Sequence, residues 1–281
     1  MQTLQVSFTD RAGYVLRGIV TLPDGAGEGA AAAGAPGSAA AGDRLPATGE
    51  GVAPAAPRPF VVHLHGFGGS LSGHKYMYTN LARALAREGI GCARFDFFGC
   101  GESDGEFDET TLTGFQHDAE DICAWAVEQG FATPETLFLS GQSMGGYVAA
   151  SVAPRVSPRG LVLLCPGAAM WYGCAERADM VTKSGATSVD LEGLTYDMAF
   201  NYDMATHPDP FEEAAGYKGP VLIIRADDDK LVSAENCESY KSVYGERARS
   251  LETSGGGHNF SSQASRRLVE REMAGFINAN R

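Results

Sequence analysis

The chain has 281 residues, 44% of them hydrophobic and 20% charged, a balance that predicts a globular protein with a substantial core. Its net charge of −13 disfavours nucleic acid as a partner, and no apolar run reaches the roughly 18 residues needed to span a membrane. The amino terminus lacks the pattern of a signal peptide, so we expect a cytoplasmic protein. The six cysteines are scattered without metal-ligand spacing, which predicts free, mostly buried thiols and no metal site.

Two segments stand apart from a regular alternation of short apolar strands and amphipathic helices. Residues 24–58 are rich in Ala, Gly and Pro, which predicts a flexible insertion; we favour a surface insertion, with a functional lid as the alternative. Residues 166–217 interrupt the alternation and are predicted to form an inserted cap. The elements predicted around them are, in chain order, strands LQVSF, YVLRGIVTL and PFVVHLH, helix 76–88, strand GCARFDF, helix 113–129, strand TLFLS, a helix opened by GGYVAASVA, strands GLVLLC and PVLIIR, helix 234–244, strand ARSLET and helix 263–280.

This alternation predicts one α/β domain over residues 1–281, with a mostly parallel central sheet and helices on both of its faces. In such sheets, ligands bind beyond the carboxyl ends of the strands. The loops after PFVVHLH, TLFLS and PVLIIR should therefore meet at one edge of the sheet, beneath the cap.

The pattern G-x-S-x-G occurs twice, as GQSMG at 141–145 and as GESDG at 101–105. GQSMG follows an apolar strand directly and runs into a helix, which is the strand–turn–helix context of a nucleophile elbow. GESDG lies in a loop crowded with acidic residues, which would repel a negatively charged intermediate. The sequence therefore predicts that Ser143 is a nucleophile and that Ser103 is a structural loop serine.

A serine nucleophile needs a base to remove its proton and an acid to orient that base. With a nucleophile elbow the chain order is nucleophile, acid, base, and two histidines, His207 and His258, follow Ser143. His207 precedes the strand that should carry the acid, whereas His258 lies in the glycine-rich loop after the last strand. We therefore predict His258 as the base. The acid is expected in the loop ADDDKLV, and spacing leaves all three aspartates at 227–229 open.

An oxyanion hole needs two N–H donors. One donor is expected from Met144, the residue after the nucleophile, and the other from Phe67 in the loop HGFGGS after PFVVHLH. That glycine-rich loop matches neither the nucleotide-binding pattern G-x-x-x-x-G-K-[ST] nor G-x-G-x-x-G opening a helix. We expect no metal or organic cofactor.

As a set, these motifs resemble the α/β-hydrolase superfamily, and more closely the bacterial cinnamoyl (feruloyl) esterases and related small carboxylesterases. The resemblance covers roughly residues 60–280, and the α/β-hydrolase fold is what it implies. It rests on HGFGG at 65–69, RFDFFGCGESDGEF at 94–107, GQSMGG at 141–146, LIIRADDDKLV at 222–232 and GGGHNF at 255–260.

The same resemblance bears on the triad acid. The family pattern G-x-x-D-x-x-V, laid on residues 226–232, selects Asp229, with Asp227 as the runner-up. The chain departs from the family at three places. Gln142 stands where a histidine often precedes the nucleophile, Arg225-Ala226 replaces His-Gly before the acid loop, and Ser233 replaces a proline after it.

The resemblance implies a serine carboxylesterase that acts on small ester substrates, with hydroxycinnamate (feruloyl) esters as one class. The cap carries the aromatic residues Trp171, Tyr172, Tyr196, Phe200 and Tyr202, which either line a slot for a phenolic acyl group or form the cap's own core; of these, Trp171, Tyr172 and Tyr202 are the candidate substrate-binding residues. A peptidase, an amidase, a thioesterase and a noncatalytic binding protein of the same fold are the alternatives. A small-molecule ester is the expected partner, without nucleic acid or membrane, and a homo-oligomer stays open.

Overall fold

The computed structural model describes residues 1–25 and 58–281. The low-complexity segment predicted at 24–58 therefore lies, apart from its ends, outside the described residues. Elsewhere the predicted strands and helices are present, with boundaries that shift by a few residues. Helix 76–88, for example, begins at Met77 because Tyr76 has the left-handed φ of 63°.

An eight-stranded mixed sheet forms the centre of the described structure, in the order β1-β2-β4-β3-β5-β6-β9-β10. Strands β1 and β2 are antiparallel to their neighbours, and the other six strands are mutually parallel. The strands, with β7 and β8 as a separate hairpin, are β1 Gln2–Thr9, β2 Val15–Leu22, β3 Phe60–Leu64, β4 Gly91–Phe95, β5 Leu137–Gln142, β6 Gly160–Leu164, β7 Ser188–Leu191, β8 Leu194–Asp197, β9 Val221–Ala226 and β10 Ala248–Thr253.

Helices accompany the sheet in the alternation that the sequence predicts. Every residue of β3, β4, β5, β6 and β9 is buried, as expected for parallel strands covered on both faces. The predicted α/β fold with a mostly parallel sheet is therefore confirmed. The helices are α1 Met77–Arg87, α2 Leu112–Glu128, α3 Met144–Val156, α4 Cys174–Lys183, α5 Ala199–Met204, α6 Pro210–Ala214, α7 Ala234–Tyr244 and α8 Gln263–Ala279.

The cap, residues 166–217, contains α4, the β7–β8 hairpin, α5 and α6 between β6 and β9. It is tied to the body of the protein through the start of α2. The backbone N–H and the hydroxyl of Thr113 each donate to the Asp203 carboxylate at 2.8 Å, and the same hydroxyl lies 2.8 Å from Nε2 of His207. The segment predicted as a cap is thus held against the start of α2.

All six cysteines lie within the described residues, and each is free and buried, as the sequence predicts. Along the described part of the chain, no helix has both the length and the apolar character that a bilayer crossing requires.

Candidate active site

Ser143 lies in a strained turn between β5 and α3. Its φ of 56° and ψ of −121° are rare for a residue with a side chain, and such strain is typical of a nucleophile elbow. The turn needs glycine at two positions, Gly141 and Gly145, where any side chain would collide with the backbone. A Cβ on Gly141 would lie 2.0 Å from the Gly145 carbonyl oxygen, and a Cβ on Gly145 would lie 2.4 Å from backbone oxygens of β3 and the loop after it. The predicted reason for small residues around this serine is therefore confirmed.

The elbow presents Ser143 at the amino terminus of α3, with buried residues on either side of a half-buried serine. Its backbone is fixed from three sides. The Ser143 N–H donates to Leu164 O at 2.9 Å, and the Ser143 carbonyl accepts from Tyr147 N at 3.0 Å and from Gly167 N at 2.8 Å. Met144 is the first residue of α3, where backbone N–H groups have no partner within the helix and favour negative charge.

His258 and Asp229 form a hydrogen-bonded pair, with 2.8 Å between His258 Nδ1 and Asp229 Oδ2. The Asp229 side chain is fully buried and the His258 side chain is 13% exposed. The other Asp229 oxygen accepts from the backbone N–H groups of Leu231 at 2.8 Å and Val232 at 3.0 Å. Burial by itself would raise the pKa of Asp229, but the hydrogen bonds from His258 and the two N–H groups outweigh it and lower that pKa to about 2. Asp229 is therefore a carboxylate at neutral pH, as an acid that orients imidazole must be.

The two preceding aspartates bind the loop that carries His258, but not its imidazole. Asp227 accepts from Gly255 N at 2.7 Å, and Asp228 accepts from Gly257 N at 2.7 Å. Of the three candidate acids, Asp229 is the one that the structure pairs with His258. The sequence offers no signal for the contacts of the other two, since they depend on how two distant loops meet.

Gln142 supplies a contact that the sequence does not predict. Its side-chain Nε2 donates to the carbonyl oxygen of His258 at 2.7 Å, and the same carbonyl accepts a longer contact of 3.7 Å from Cys165 Sγ. The residue immediately before Ser143 therefore holds the backbone of His258 next to the elbow. The one sequence signal was the departure from the family's usual histidine at this position.

Arg225, another departure from the family, organises the acid loop from below. Its guanidinium is buried and donates to Val232 O at 2.9 Å, to Asp229 O at 3.3 Å and to the Glu252 carboxylate at 2.6 Å. Arg225 thus links the acid loop, at Asp229 and Val232, to Glu252 of β10. The replacement of His-Gly by Arg225-Ala226 thus leaves the acid loop well supported.

The loop that carries Phe67 lies against the elbow. A Cβ on Gly66 would fall 3.3 Å from the Cβ of Ser143 and 3.8 Å from its Oγ. The buried His65 fixes this loop: Nε2 accepts from Phe97 N at 3.1 Å, so the proton lies on Nδ1, which donates to Gly66 O at 2.8 Å. Burial lowers the pKa of His65, so the imidazole is neutral and serves as a structural link.

Ser103, in the second G-x-S-x-G sequence, has a structural environment. Its hydroxyl donates to Asp96 O at 2.7 Å and accepts from Arg17 N at 2.9 Å, and the residue is buried. Both contacts join the loop to β2 and to the end of β4. This arrangement agrees with the predicted role of a structural loop serine.

Aromatic side chains of the cap meet the loop of Phe67. The Phe67 ring packs edge-to-face with Phe107, Tyr196 and Phe200, with ring centroids 4.8–5.0 Å apart. Leu194 of the β7–β8 hairpin lies beside Gly68. The sequence names Tyr196 and Phe200 among the cap aromatics but does not select them as site residues, because it carries no information on which aromatics of an inserted segment face the body.

The three cap aromatics that the sequence singled out lie differently. Trp171 is partly buried and its indole N–H donates to His207 O at 3.1 Å. Tyr172 is 47% exposed and donates to Asp209 at 3.0 Å, whereas Tyr202 is 39% exposed and donates to Asp179 at 2.9 Å. These hydroxyl bonds stay within the cap.

Cys165, Asp229 and His258 are the described residues whose potential metal-ligand atoms cluster, all within 4.8 Å of one another. The geometry does not fit a metal centre. Asp229 and His258 already use the relevant atoms on each other, and burial raises the pKa of the Cys165 thiol well above its usual range, which keeps it protonated.

One family profile and two curated proteins match part of the chain. The profile of a family described as "Serine aminopeptidase, S33" matches residues 55–189, just under half of the chain. Two proteins of Mycobacterium tuberculosis, from strains CDC 1551 / Oshkosh and ATCC 25618 / H37Rv and both described as uncharacterized, are each 27% identical over 191 residues. The matched region is 67% of this chain and 60% of either relative.

Solved structures share the fold over nearly the whole chain. Est1E from Butyrivibrio proteoclasticus, solved with ferulic acid bound, is 20% identical with a TM-score of 0.77, covering 98% of both chains. An esterase of Pyrococcus furiosus is 17% identical with a TM-score of 0.66, covering 99% of this chain and 91% of that one. The chain therefore has the α/β-hydrolase fold, as the sequence resemblance implies.

Proposed function

We propose that this protein is a serine carboxylesterase in which Ser143 is the nucleophile, His258 the base and Asp229 the acid. The observation that carries the proposal is the buried Asp229–His258 pair, whose histidine backbone is hydrogen-bonded to Gln142, the neighbour of the strained Ser143. An activated serine has three such features. Here they are the strained backbone of Ser143, the lowered pKa of Asp229 and the position of His258 beside the elbow.

In the proposed first step, Ser143 Oγ attacks the ester carbonyl carbon and His258 Nε2 accepts the hydroxyl proton. Asp229 accepts a hydrogen bond from Nδ1–H of His258, which keeps Nε2 unprotonated so that it can act as the base, and which stabilises the imidazolium that forms. The N–H groups of Met144 and Phe67 are proposed to stabilise the oxyanion.

The tetrahedral intermediate then collapses, and His258 returns the proton to the departing alcohol. A water molecule then attacks the acyl carbonyl carbon while His258 accepts its proton; the second tetrahedral intermediate collapses, His258 returns the proton to Ser143 Oγ, and the carboxylic acid is released. Both steps pass through an oxyanion at the same position, so the N–H groups of Met144 and Phe67 stabilise both of them. No step changes an oxidation state.

The proposed substrate class is based on the aromatic side chains beside Phe67. We infer that Tyr196 and Phe200 line the acyl side of the site, since both contact the residue proposed as an oxyanion donor. Trp171, Tyr172 and Tyr202 are then outer residues that support the cap. Aromatic rings offer a planar acyl group favourable edge and face contacts, and the similar Est1E structure contains ferulic acid.

The experiment compares hydrolysis of methyl ferulate with that of p-nitrophenyl butyrate by the wild type and by Ser143→Ala. We expect Ser143-dependent turnover of both esters, with comparable or higher kcat/KM on the ferulate. Activity on butyrate alone would retain the triad and refute the feruloyl assignment, leaving a short-chain carboxylesterase. Retention of most activity in folded Ser143→Ala would refute the mechanism.

A matched pair of cap variants tests the acyl side. Phe200→Leu should raise KM for methyl ferulate several-fold and leave KM for the butyrate ester nearly unchanged. Tyr202→Leu, which removes an aromatic ring from the exposed side of the cap, should affect neither. Equal effects of the two variants on the ferulate would contradict the assignment of Phe200 and restore Tyr202 as a candidate.

Aminopeptidase activity is the second candidate, because the matching family bears that description. A substrate ammonium group needs a carboxylate beside the nucleophile, and three cap aspartates are instead hydrogen-bonded to other side chains or backbone: Asp179 to Tyr202, Asp209 to Tyr172 and Asp203 to Thr113. We therefore expect alanine p-nitroanilide to be hydrolysed far more slowly than p-nitrophenyl butyrate. The reverse order would favour the peptidase.

A further inference from the structure

We propose that Gln142 and Asp228 are positioning residues that hold the backbone of His258 from two sides, so that its imidazole is placed between Asp229 and Ser143. The inference rests on the proposed function, because the position of His258 matters for catalysis only if His258 is the base. It concerns residues outside the triad and the oxyanion hole.

The loop that carries His258 is intrinsically soft. Gly255, Gly256 and Gly257 precede the histidine, and all three have positive φ, at 68°, 104° and 57°. Three consecutive glycines have the largest freedom to lose when the loop becomes ordered. A soft loop of this kind needs contacts from outside itself if it is to hold a base in one place.

The contacts come from both neighbouring loops. On the acid side, Asp228 accepts from Gly257 N at 2.7 Å, one residue before His258. On the elbow side, Gln142 Nε2 donates to His258 O at 2.7 Å. One bond therefore restrains the backbone N–H of Gly257 and the other the backbone carbonyl of His258. Together they restrict the movement of the backbone that carries the imidazole.

Gln142 is buried in the sheet, and Asp228 is an exposed residue of a loop that is itself supported. Gln142 is the last residue of β5 and is 2% exposed, so its amide has one direction in which to donate. Asp228 belongs to the acid loop, which Arg225 holds through the Asp229 and Val232 carbonyl oxygens. The positions of these anchors are therefore set by the sheet and carried over to the histidine.

Without the anchors, the restraints left on His258 would be the Nδ1–H bond to Asp229 and contacts of the glycine loop such as Gly255 N with Asp227. The bond to Asp229 fixes the distance to the acid but leaves the ring free to pivot about it, which moves Nε2 relative to Ser143. A displacement of about 1 Å at a reacting group can reduce the rate about 100-fold. Positioning residues should therefore act on kcat, with little effect on KM for a substrate held by the cap.

The test measures kcat and KM for p-nitrophenyl butyrate in variants that separate hydrogen bonding from charge. Asp228→Ala removes the acceptor, whereas Asp228→Asn removes the charge and retains an oxygen for Gly257. Gln142→Met removes the donor at similar side-chain length. We expect kcat to fall about tenfold in Asp228→Ala and in Gln142→Met, and about 100-fold in the double variant, with KM changed less than about twofold. Asp228→Asn should retain most of kcat.

Asp10→Ala serves as the matched control. Asp10 accepts from Ala12 N and Tyr14 N in the turn between β1 and β2, far along the sheet from the proposed site. This variant should lower Tm and leave kcat unchanged. A loss of kcat in Asp10→Ala equal to that in Asp228→Ala, or Asp228→Asn as slow as Asp228→Ala, would overturn the positioning role.

Amide hydrogen exchange separates failure of this inference from failure of the proposed function. Exchange at residues 255–258 should be faster in Asp228→Ala and in Gln142→Met than in the wild type, whether or not the protein hydrolyses esters. Unchanged exchange with unchanged kcat refutes the two-sided restraint. Absence of Ser143-dependent hydrolysis in the wild type refutes the esterase proposal instead, and faster exchange would then still support the restraint on the loop.

Discussion

Replacement of Asp229 by asparagine should inactivate the enzyme without unfolding it. One Asp229 oxygen accepts from Leu231 N and Val232 N, and the other accepts from His258 Nδ1. An asparagine can satisfy both backbone donors only with its carbonyl oxygen, which turns its NH₂ group toward His258. Nδ1 must then accept a hydrogen bond, so the imidazole proton moves to Nε2, where a base must have none.

The magnitude follows from which interactions each substitution removes. A wrong imidazole tautomer costs about 10⁴-fold in kcat in a serine-protease triad, and we expect a loss of about 10³- to 10⁴-fold in Asp229→Asn. Asp229→Ala leaves the tautomer of His258 free but deprives Leu231 and Val232 of their acceptor, which costs about 1–3 kcal/mol in the free energy of unfolding. We therefore expect Asp229→Asn to have the larger free energy of unfolding of the two variants. Asp229→Ala should have a kcat, per folded molecule, at least as high as that of Asp229→Asn.

The assay pairs urea unfolding at pH 7 with kcat for p-nitrophenyl butyrate, corrected for the folded fraction. Wild type and Ser143→Ala set the upper and lower limits of activity. An Asp229→Asn variant within about tenfold of the wild type would refute the tautomer argument, since the argument demands loss of the base. An Asp229→Ala variant as stable as Asp229→Asn would refute the proposed role of the two backbone donors.

Two further predictions concern buried groups away from the site and their effect on the pH dependence of stability. Burial raises the pKa of Asp118 to about 7, so its ionisation destabilises the folded state as pH rises from about 4 to about 7. Asp118→Asn keeps an acceptor for Phe98 N and should stabilise the protein at pH 8 by at most about 4 kcal/mol, with little effect at pH 4; a gain that is equal at both pH values would contradict this. Burial lowers the pKa of His63 to about 3, so the wild type should lose about 3 kcal/mol of stability between pH 7 and pH 4 through this group. In His63→Leu that loss should be absent in urea titrations, and an unchanged pH dependence would show that His63 contributes nothing to it.

Much of the fold follows from local sequence patterns. Apolar strands such as PFVVHLH and PVLIIR are buried on both faces, and few other structures suit a short, uninterrupted apolar run followed by an amphipathic helix. The elbow is predictable for the same reason, because strand, turn and helix are consecutive in the chain. The identity of Ser143 therefore needs no knowledge of distant contacts.

Contacts between distant segments lie beyond such patterns. Gln142 and His258 are 116 residues apart, and nothing local indicates that the amide of one meets the carbonyl of the other. By spacing alone, three consecutive aspartates likewise look equivalent; the family pattern selects Asp229, and only the geometry shows that the other two bind the glycine loop. The sequence likewise does not indicate which cap aromatics face the site. Phe200 and Tyr202 are two residues apart, but Phe200 packs on Phe67 whereas Tyr202 lies on the exposed side of the same short helix.

Covalent labelling of the nucleophile tests the central claim most directly. The folded protein would be treated with an alkyl fluorophosphonate, which forms a stable adduct with an activated serine, and the modified peptide would be located by mass spectrometry. The account predicts one adduct per chain, on Ser143, and its loss in a folded His258→Ala variant. An adduct on Ser103, or no adduct on the folded wild type, would contradict it.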